Sequence, residues 1–230
     1  MERLYRALEI YSQEDYYPFH MPGHKRRPLP FLNPYTIDIT EIEGFDNLHH
    51  AEGILKEGQQ RVARLYGAHR SYYLVNGSSC GILSAICGTT GHGGKILMSR
   101  NCHKAAYHGV FLKQLHVKYV YPQIIEKLGI QGGIKPEDVE KKLKEHPEIR
   151  SVLIVSPTYD GVVSDIRGIA DVVHARGIPL IVDEAHGAHF PFGAGCFPES
   201  AIYCGADLVI QSLHKTLPSL TQTAILHLRG

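Results

Sequence analysis

Two apolar runs in this chain end in residues that could carry covalent chemistry. The run 207–216 reads Asp-Leu-Val-Ile-Gln-Ser-Leu-His-Lys-Thr, which predicts a short buried strand. It delivers Ser212, His214 and Lys215 to the strand's carboxyl end, the edge at which open α/β sheets bind ligands. Because no carboxylate flanks Lys215 in the sequence, its amine could be desolvated and form a Schiff base as a nucleophile. The competing interpretation is a surface lysine that ends a loop.

The second run, 179–187, reads Pro-Leu-Ile-Val-Asp-Glu-Ala-His-Gly and also predicts a buried strand. It ends in Asp183, Ala185 and His186. An aspartate at a strand end can pair with a cation held in the cleft, and the protonated pyridine nitrogen of pyridoxal phosphate is one such cation. The two strands would then hold one cofactor between them.

The elements that must position these residues alternate along the chain. Strands are predicted near 71–75, 95–99, 117–121, 150–155, 179–183, 207–211 and 223–228, and helices near 2–13, 52–66, 79–90, 103–114, 135–145 and 164–176. Such alternation predicts an α/β fold with a seven-stranded, mostly parallel sheet and helices on both faces. The last link, 212–222, is too short for a helical crossover and contains Pro218, so we expect the last strand to run antiparallel.

Further polar residues follow other predicted strands. Gly77, Ser78 and Ser79 open a helix, where backbone N–H groups, the helix dipole and hydroxyls could hold a phosphate. His103 follows the second strand, and the segment 156–158, Ser-Pro-Thr, follows the fourth. Each signal is weak by itself. Their common location at one edge of the sheet makes them a candidate site.

Composition narrows the classes of partner and compartment. The 230 residues carry a net charge of +1 and no basic cluster longer than 25–27, so nucleic acid and acidic membranes are not implied. The longest stretch without Lys, Arg, Asp or Glu, 71–94, is broken by polar residues and glycines and does not predict a membrane span. The amino terminus carries acidic residues, unlike a signal peptide. Five scattered cysteines favour reduced thiols in a cytoplasmic protein.

Two other motifs suggest different chemistry. Asp183-Glu-Ala-His spells the acidic box of some helicases, but the phosphate loop that such an ATPase needs is missing, because 88–96 departs from the required pattern and precedes a strand. His186 and His189 with Asp183 could ligate zinc, although no H-E-x-x-H or cysteine-rich pattern accompanies them. We therefore expect no metal in the site.

Seven motifs together resemble a known family. They are Pro22-Gly-His-Lys, Glu41-Ile-Glu-Gly-Phe-Asp-Asn-Leu-His, Asn76-Gly-Ser-Ser, Arg100-Asn-Cys-His-Lys, Ser156-Pro-Thr-Tyr-Asp-Gly, Val182-Asp-Glu-Ala-His-Gly and Ser212-Leu-His-Lys. In order and spacing they are similar to the motifs of the ornithine/lysine/arginine decarboxylases, which are pyridoxal-phosphate enzymes of the aspartate-aminotransferase fold (fold type I). The resemblance implies loss of carbon dioxide from a basic amino acid, leaving an amine, in a homodimer or higher homo-oligomer.

The resemblance also implies a role for each matching residue. Lys215 would be the Schiff-base lysine, Asp183 would pair with the pyridine nitrogen, and His103 would stack on the ring. Ala185 would pack beneath the ring, while His186, with Ser156 or Thr158, would lie near its phenolic oxygen. The residues expected around the phosphate are Gly77, Ser78, Ser79, Ser212 and His214.

The resemblance further implies a domain plan, in which 1–36 form an amino-terminal helix and a proline-rich arm and 37–230 form the cofactor-binding large domain. Relatives continue into a small carboxyl-terminal domain, which we expect to be absent here. Two local departures are the Ser78-Ser79 pair, where many relatives have a threonine, and His50-Ala51, where relatives often have a proline. The sequence leaves the substrate open. It also leaves open an aminotransferase or another lyase on the same fold, or a fragment without turnover.

Overall fold

Seven strands form one central sheet. The computed structural model describes residues 4–27 and 33–230. The strands in chain order are β1 (Arg70–Leu74), β2 (Lys95–Ser99), β3 (His116–Val120), β4 (Ile124–Ile125), β5 (Ile130–Gln131), β6 (Ile149–Val155), β7 (Leu180–Asp183), β8 (Leu208–Ser212) and β9 (Ala224–Leu228). The sheet has the order β1-β9-β8-β7-β6-β2-β3, and β4 pairs with β5 in a small hairpin.

The direction of the strands follows the lengths of the links between them. From β8 through β7, β6 and β2 to β3, every neighbouring pair is parallel. β9 is antiparallel to both of its neighbours, β1 and β8. The predicted seven-stranded, mostly parallel sheet with an antiparallel last strand is therefore confirmed. A parallel arrangement of β8 and β9 would need a crossover of a dozen or more residues, which this link does not supply.

Helices cover both faces of the sheet, as expected. They are α1 (Leu4–Gln13), α2 (Ile54–Tyr66), α3 (Gly77–Thr89), α4 (Lys104–Leu112), α5 (Pro136–Glu145), α6 (Ile166–His174) and α7 (Leu213–Thr216). The buried residues of α6 are Ile166, Ile169, Ala170 and Val173, the spacing of an amphipathic helix that packs on a sheet. Among the described residues, no helix combines the length and apolarity needed to cross a membrane.

Side chains of each central strand alternate between two cores. In β7, Leu180 and Val182 pack in the cluster that contains α5 and α6, whereas Ile181 packs in the cluster that contains α3 and α4. Because successive side chains of a strand point to opposite faces, Asp183 lies on the α3 and α4 side and Glu184 on the other. Burial on both faces explains why these strands appear in the sequence as continuous apolar runs.

The loop before α2 is organised by one carboxylate. Asp46 accepts hydrogen bonds from the backbone N–H groups of Asn47, Glu52, Gly53 and Leu55, at 2.8–3.0 Å. These donors hold the pKa of Asp46 far below its usual range, since they favour the charged form. α2 ends, as predicted, at Gly67, whose φ of 66° suits glycine.

The amino-terminal arm reaches the segment that carries Lys215. The backbone N–H of Gly23 donates to the carbonyl of His214 at 2.7 Å. A Cβ at Gly23 would lie 2.5 Å from the carbonyl oxygen of Leu217, so glycine permits this approach. Helix α1 buries none of its residues. Part of the predicted proline-rich arm, 28–32, lies outside the described residues.

Three features were not predicted. The short helix α7 occupies the link after β8, the hairpin β4–β5 follows β3, and α3 begins at Gly77, two residues before its expected start. A helix of four residues and strands of two are too short to produce a recognisable periodicity. The early start of α3 places Ser78 and Ser79 in its first turn, where N–H groups have no partner within the helix.

Candidate active site

A cavity of about 380 Å³ opens at the edge of the sheet where β6, β7 and β8 end. Ligand pockets in proteins commonly enclose roughly 300–1,000 Å³. The lining residues are Asn76, Gly77, Ser78, Ser79, Ile82, Asn101, His103, Val155, Pro157, Tyr159, Asp183, Ala185, His186, Ser212, His214, Lys215, Thr221 and Gln222. The fold thus brings residues from six separate chain segments to one space.

Of the expected site residues, all except Ser156 and Thr158 line this cavity. Both exceptions are buried, and their hydroxyls serve the loop that follows β6. The Ser156 Oγ accepts a hydrogen bond from the N–H of Ser164, and the Thr158 Oγ1 accepts one from the N–H of Val162, both at 3.1 Å. The cofactor contact expected of Ser156 or Thr158 stays a prediction, and neither hydroxyl lines the cavity in this structure. Their neighbours in the same segment, Pro157 and Tyr159, line the cavity instead.

The first turn of α3 forms one wall. Gly77 begins the helix at a φ of 66°, a conformation that favours glycine. The hydroxyl of Ser78 lies 2.6 Å from that of Ser212, so a hydrogen bond joins α3 to the end of β8. Free N–H groups at a helix start, beside hydroxyls, suit an anion such as a phosphate.

Lys215 is positioned by α7, which two neighbouring segments hold in place. From the strand side, Leu213 N–H donates to the carbonyl of Thr223 at 3.0 Å, and His214 Nδ1 lies 2.9 Å from the same oxygen. From the other side, the amino-terminal arm contacts the carbonyl of His214 through Gly23. The Lys215 side chain is partly buried, and its Nζ lies 3.1 Å from Nε2 of His186.

The surroundings of Lys215 favour neutral side chains. Burial lowers the pKa of Lys215, because the charged ammonium loses hydration, while the negative charge of Asp183 acts in the opposite direction. Burial and the neighbouring Lys215 and His214 lower the pKa of His186 to about 4. His186 is therefore neutral near pH 7, and its Nε2 can accept a hydrogen bond from Lys215. A lysine with a lowered pKa supplies more free amine, the form that attacks a carbonyl.

Asp183 is the buried acid of the cavity. Its side chain lies on the α3 face, and Oδ1 accepts a hydrogen bond from the N–H of Ala185 at 3.2 Å. Burial raises the pKa of Asp183, while Lys215, the Ala185 N–H and His103 oppose the shift. A cation placed in the cavity would therefore stabilise the carboxylate form.

His103 caps helix α4. Its Nδ1 accepts a hydrogen bond from the backbone N–H of Ala105 at 3.2 Å, which leaves the ring proton on Nε2 in the neutral form. Partial burial lowers the pKa of His103, with the charge of Asp183 opposing. The cap hydrogen bond fixes a neutral ring in the cavity wall.

Several lining residues were not singled out from the sequence. Asn101 and Tyr159 lie inside motifs that carried the family resemblance, so their segments were marked although the residues were not. Thr221 and Gln222 precede β9, and because β9 is antiparallel its beginning lies at the edge where β8 ends. The predicted antiparallel direction of the last strand could therefore have placed Thr221 and Gln222 at this edge.

The site's chemistry fits a phosphorylated, electron-poor ring. Asn101 Oδ1 is buried without a hydrogen-bond partner, so a ligand in the cavity would satisfy it. The anion cradle of α3, the acid Asp183 and the amine Lys215 match a phosphate, a ring cation and an aldehyde respectively. Within residues 4–27 and 33–230, no group of three or more His, Cys, Asp or Glu side chains is arranged to hold a metal. The described residues therefore give no support to the hypothesis that Asp183, His186 and His189 bind zinc.

Comparison with known proteins gives a consistent result. Residues 2–230 match the family model described as Orn/Lys/Arg decarboxylase, major domain. The protein YaaO of Bacillus subtilis (strain 168) is 39% identical over 99% of this chain and 48% of its own length. The arginine decarboxylase of the same organism is 36% identical over 98% of this chain and 48% of its own. The chain therefore spans about half the length of these relatives.

Solved structures share the fold. Lysine decarboxylase A from Pseudomonas aeruginosa superposes with a TM-score of 0.71 and 23% identity, covering 98% of this chain and 34% of the other. At this identity the match establishes the fold alone.

Proposed function

Since this chain belongs to the Orn/Lys/Arg decarboxylase family, we propose that it is the cofactor-binding part of an enzyme that decarboxylates arginine, lysine or ornithine with pyridoxal 5'-phosphate. The observation that carries the proposal is the placement of Lys215 and buried Asp183 on one cavity with the start of α3. In this proposal residues 37–230 form the cofactor-binding domain, and residues 1–36 form an amino-terminal helix and a proline-rich arm, of which Gly23 contacts α7.

The cofactor would be held by residues of four segments. Ser78, Ser79 and the free N–H groups of α3 would bind its phosphate, together with Ser212 and His214. Lys215 would carry it through Nζ. Asp183 would keep a proton on the ring nitrogen, because a carboxylate stabilises the cation beside it. His103 would contact the ring, and Ala185 and His186 would complete the wall.

When bound, pyridoxal phosphate withdraws electrons from the substrate's Cα, which makes loss of the carboxyl group as carbon dioxide possible. The chain's own residues would orient the substrate and accept or donate protons. His186 Nε2 accepts a hydrogen bond from Lys215 Nζ, which keeps the amine at the cavity wall. A well-oriented reacting group accounts for several kcal/mol of barrier lowering, roughly 7–11 kcal/mol in the best cases.

We expect the products to be an amine and carbon dioxide in equal amounts. The measurement is incubation of the cofactor-loaded chain with arginine, lysine or ornithine at enzyme concentrations comparable to the substrate, so that slow turnover is detected. We expect slow turnover, because a substrate that is misplaced by about 1 Å can react on the order of 100-fold more slowly. Free pyridoxal phosphate serves as the blank. A keto acid in place of the amine would identify an aminotransferase and contradict the proposal, and release no faster than the blank would identify a fragment without turnover.

We further propose that the protein is a cytoplasmic homo-oligomer, at least a dimer, that acts on a small-molecule amino-acid substrate. All five cysteines are free thiols, which fits a reducing compartment. Leu4, Tyr5 and Leu8 on α1 are 75%, 76% and 55% exposed and leave an apolar stripe for a second copy. Sedimentation of the cofactor-loaded protein tests this, and a monomer at high concentration would refute it.

A further inference from the structure

A chain of buried polar side chains lies on the opposite face of the sheet from the cavity. Its central members are Glu184, Gln211 and His227, which are 2%, 0% and 0% exposed. Glu184 directly follows Asp183, and Gln211 directly precedes Ser212. Each of these two therefore shares a peptide bond with a cavity residue, while its own side chain points away from the cavity.

Glu184 is the acceptor at one end of this chain. Its carboxylate accepts hydrogen bonds from Ser200 Oγ at 2.6 Å, from the N–H of Ala201 at 2.7 Å and from Gln211 Nε2 at 2.6 Å. Burial raises the pKa of Glu184 to about 7, although the three donors oppose the shift. The carboxylate form is thus held by three directed hydrogen bonds and by no cation at hydrogen-bond distance in the described structure.

The remaining hydrogen bonds have a single consistent direction. Because the Gln211 amide nitrogen donates to Glu184, its Oε1 faces His227 Nε2, at 3.1 Å, and that nitrogen must carry the proton. His227 Nδ1 is then an acceptor, and it receives the hydroxyl of Ser71 at 2.7 Å. Burial lowers the pKa of His227 to about 4, in agreement with this neutral form.

The chain of hydrogen bonds crosses four strands and is closed by an aromatic ring. Ser71 belongs to β1, His227 to β9 and Gln211 to β8, while Glu184 follows β7. The ring of Tyr66 in α2 lies 4.6 Å from that of His227, centroid to centroid, and its hydroxyl donates to the carbonyl of Ala188 at 3.0 Å. A buried network in which each member is satisfied rigidifies its surroundings, whereas a partly satisfied one is costly.

We propose that Glu184 and Gln211 are positioning residues that set the relative placement of Asp183 and Ser212, and through Ser212 that of Lys215. The inference rests on the proposed function, because it concerns the binding of pyridoxal phosphate by these cavity residues. The last backbone hydrogen bond between the two strands runs from the N–H of Glu184 to the carbonyl of Ile210, at 2.9 Å, and the side-chain bond between Glu184 and Gln211 joins them one residue farther along β8. Apolar packing would fill this space without fixing the direction of either strand end.

The test exchanges the two partners. Glu184→Gln replaces two acceptor oxygens by one oxygen and one N–H₂ group, so in either orientation of the new amide a donor meets a donor, at Gln211 Nε2 or at the Ala201 N–H, and one hydrogen bond is lost. The exchange Glu184→Gln with Gln211→Glu restores an amide donor facing a carboxylate, and the new carboxylate still accepts from His227. The primary readout is the dissociation constant of pyridoxal phosphate, measured by absorbance titration without substrate, with the melting temperature recorded in parallel.

We expect Glu184→Gln to weaken cofactor binding by about tenfold and the exchange to return it to within about threefold of the original chain, since partners that orient a ligating residue typically change affinity by 10–100-fold. The matched control is Val182→Ala, which removes buried volume from the same face of the same strand. It should lower the melting temperature while leaving the dissociation constant within about twofold.

Several outcomes would overturn the inference. One is a Glu184→Gln variant with unchanged cofactor affinity, and another is an exchanged variant that binds no better than the single one. Equal loss of affinity in Val182→Ala would reduce the effect to general destabilisation. If Glu184→Gln does not fold, Ser200→Ala removes one donor and should weaken binding by about threefold, with no change counting against the inference. Failure of the unaltered chain to bind cofactor would instead refute the proposed function.

Discussion

Replacement of Asp183 by asparagine is expected to lower the turnover of the cofactor-loaded enzyme by roughly 10²–10³-fold, or about 3–4 kcal/mol of transition-state stabilisation. The side chain is 4% exposed and lines the cavity, so its charge acts in a weakly screened environment. Asparagine keeps the shape and can still accept the hydrogen bond from the Ala185 N–H. What it loses is the charge that would hold a proton on the cofactor's ring nitrogen.

Thermal unfolding of the cofactor-free variant separates an effect of the substitution on catalysis from an effect on stability. Because burial raises the pKa of Asp183, the cofactor-free fold disfavours the carboxylate, and a neutral amide should not lower the melting temperature. Turnover within about threefold of the original enzyme would refute the proposed role, since one such interaction is worth more than that. A large fall in the melting temperature would point to a structural role instead.

Replacement of Lys215 by alanine is expected to reduce turnover by on the order of 10⁴-fold or more, because removal of a covalent nucleophile disables the whole catalytic unit. Lys215 is the amine that the described residues place in the cavity beside Asp183 and His186. The variant should still bind the cofactor, since the phosphate site proposed at the start of α3 is unchanged. Bound cofactor should, however, be removable by dialysis, and its absorbance should match the free aldehyde.

Lys127→Ala is the matched control for this prediction. Lys127 is exposed in the turn of the β4–β5 hairpin and lines none of the described cavity. Its substitution removes one positive charge in the same way but should leave turnover and cofactor attachment unchanged. Persistent activity in Lys215→Ala, or equal losses in both variants, would contradict the assignment of Lys215.

Much of the fold could be predicted from sequence because its central strands are buried on both faces. Leu180 to Val182 and Leu208 to Ile210 are apolar without interruption, so their positions and the end at which Lys215 emerges were visible. The antiparallel β9 followed from the length of one link. These inferences depend on local composition and on the length of the link between two strands, and both can be read from a single sequence.

Other parts depend on contacts between distant segments. Helix α7 is held by Gly23 and Thr223, and neither position signals this by its local sequence. Ser156 and Thr158 have the residue types of a cofactor site, yet their hydroxyls bond within their own loop. The pairing of Gln211 with Glu184 requires the register of β7 against β8, which periodicity does not fix.

Reductive trapping of the cofactor tests directly whether Lys215 carries pyridoxal phosphate. The chain is incubated with pyridoxal phosphate, treated with borohydride, digested, and its labelled peptides are identified by mass spectrometry, with Lys215→Ala as the control. We expect a single stable label on Lys215 that is absent from the control. Labelling of another lysine in its place, such as Lys104 next to His103, or equal labelling of the control, would contradict it.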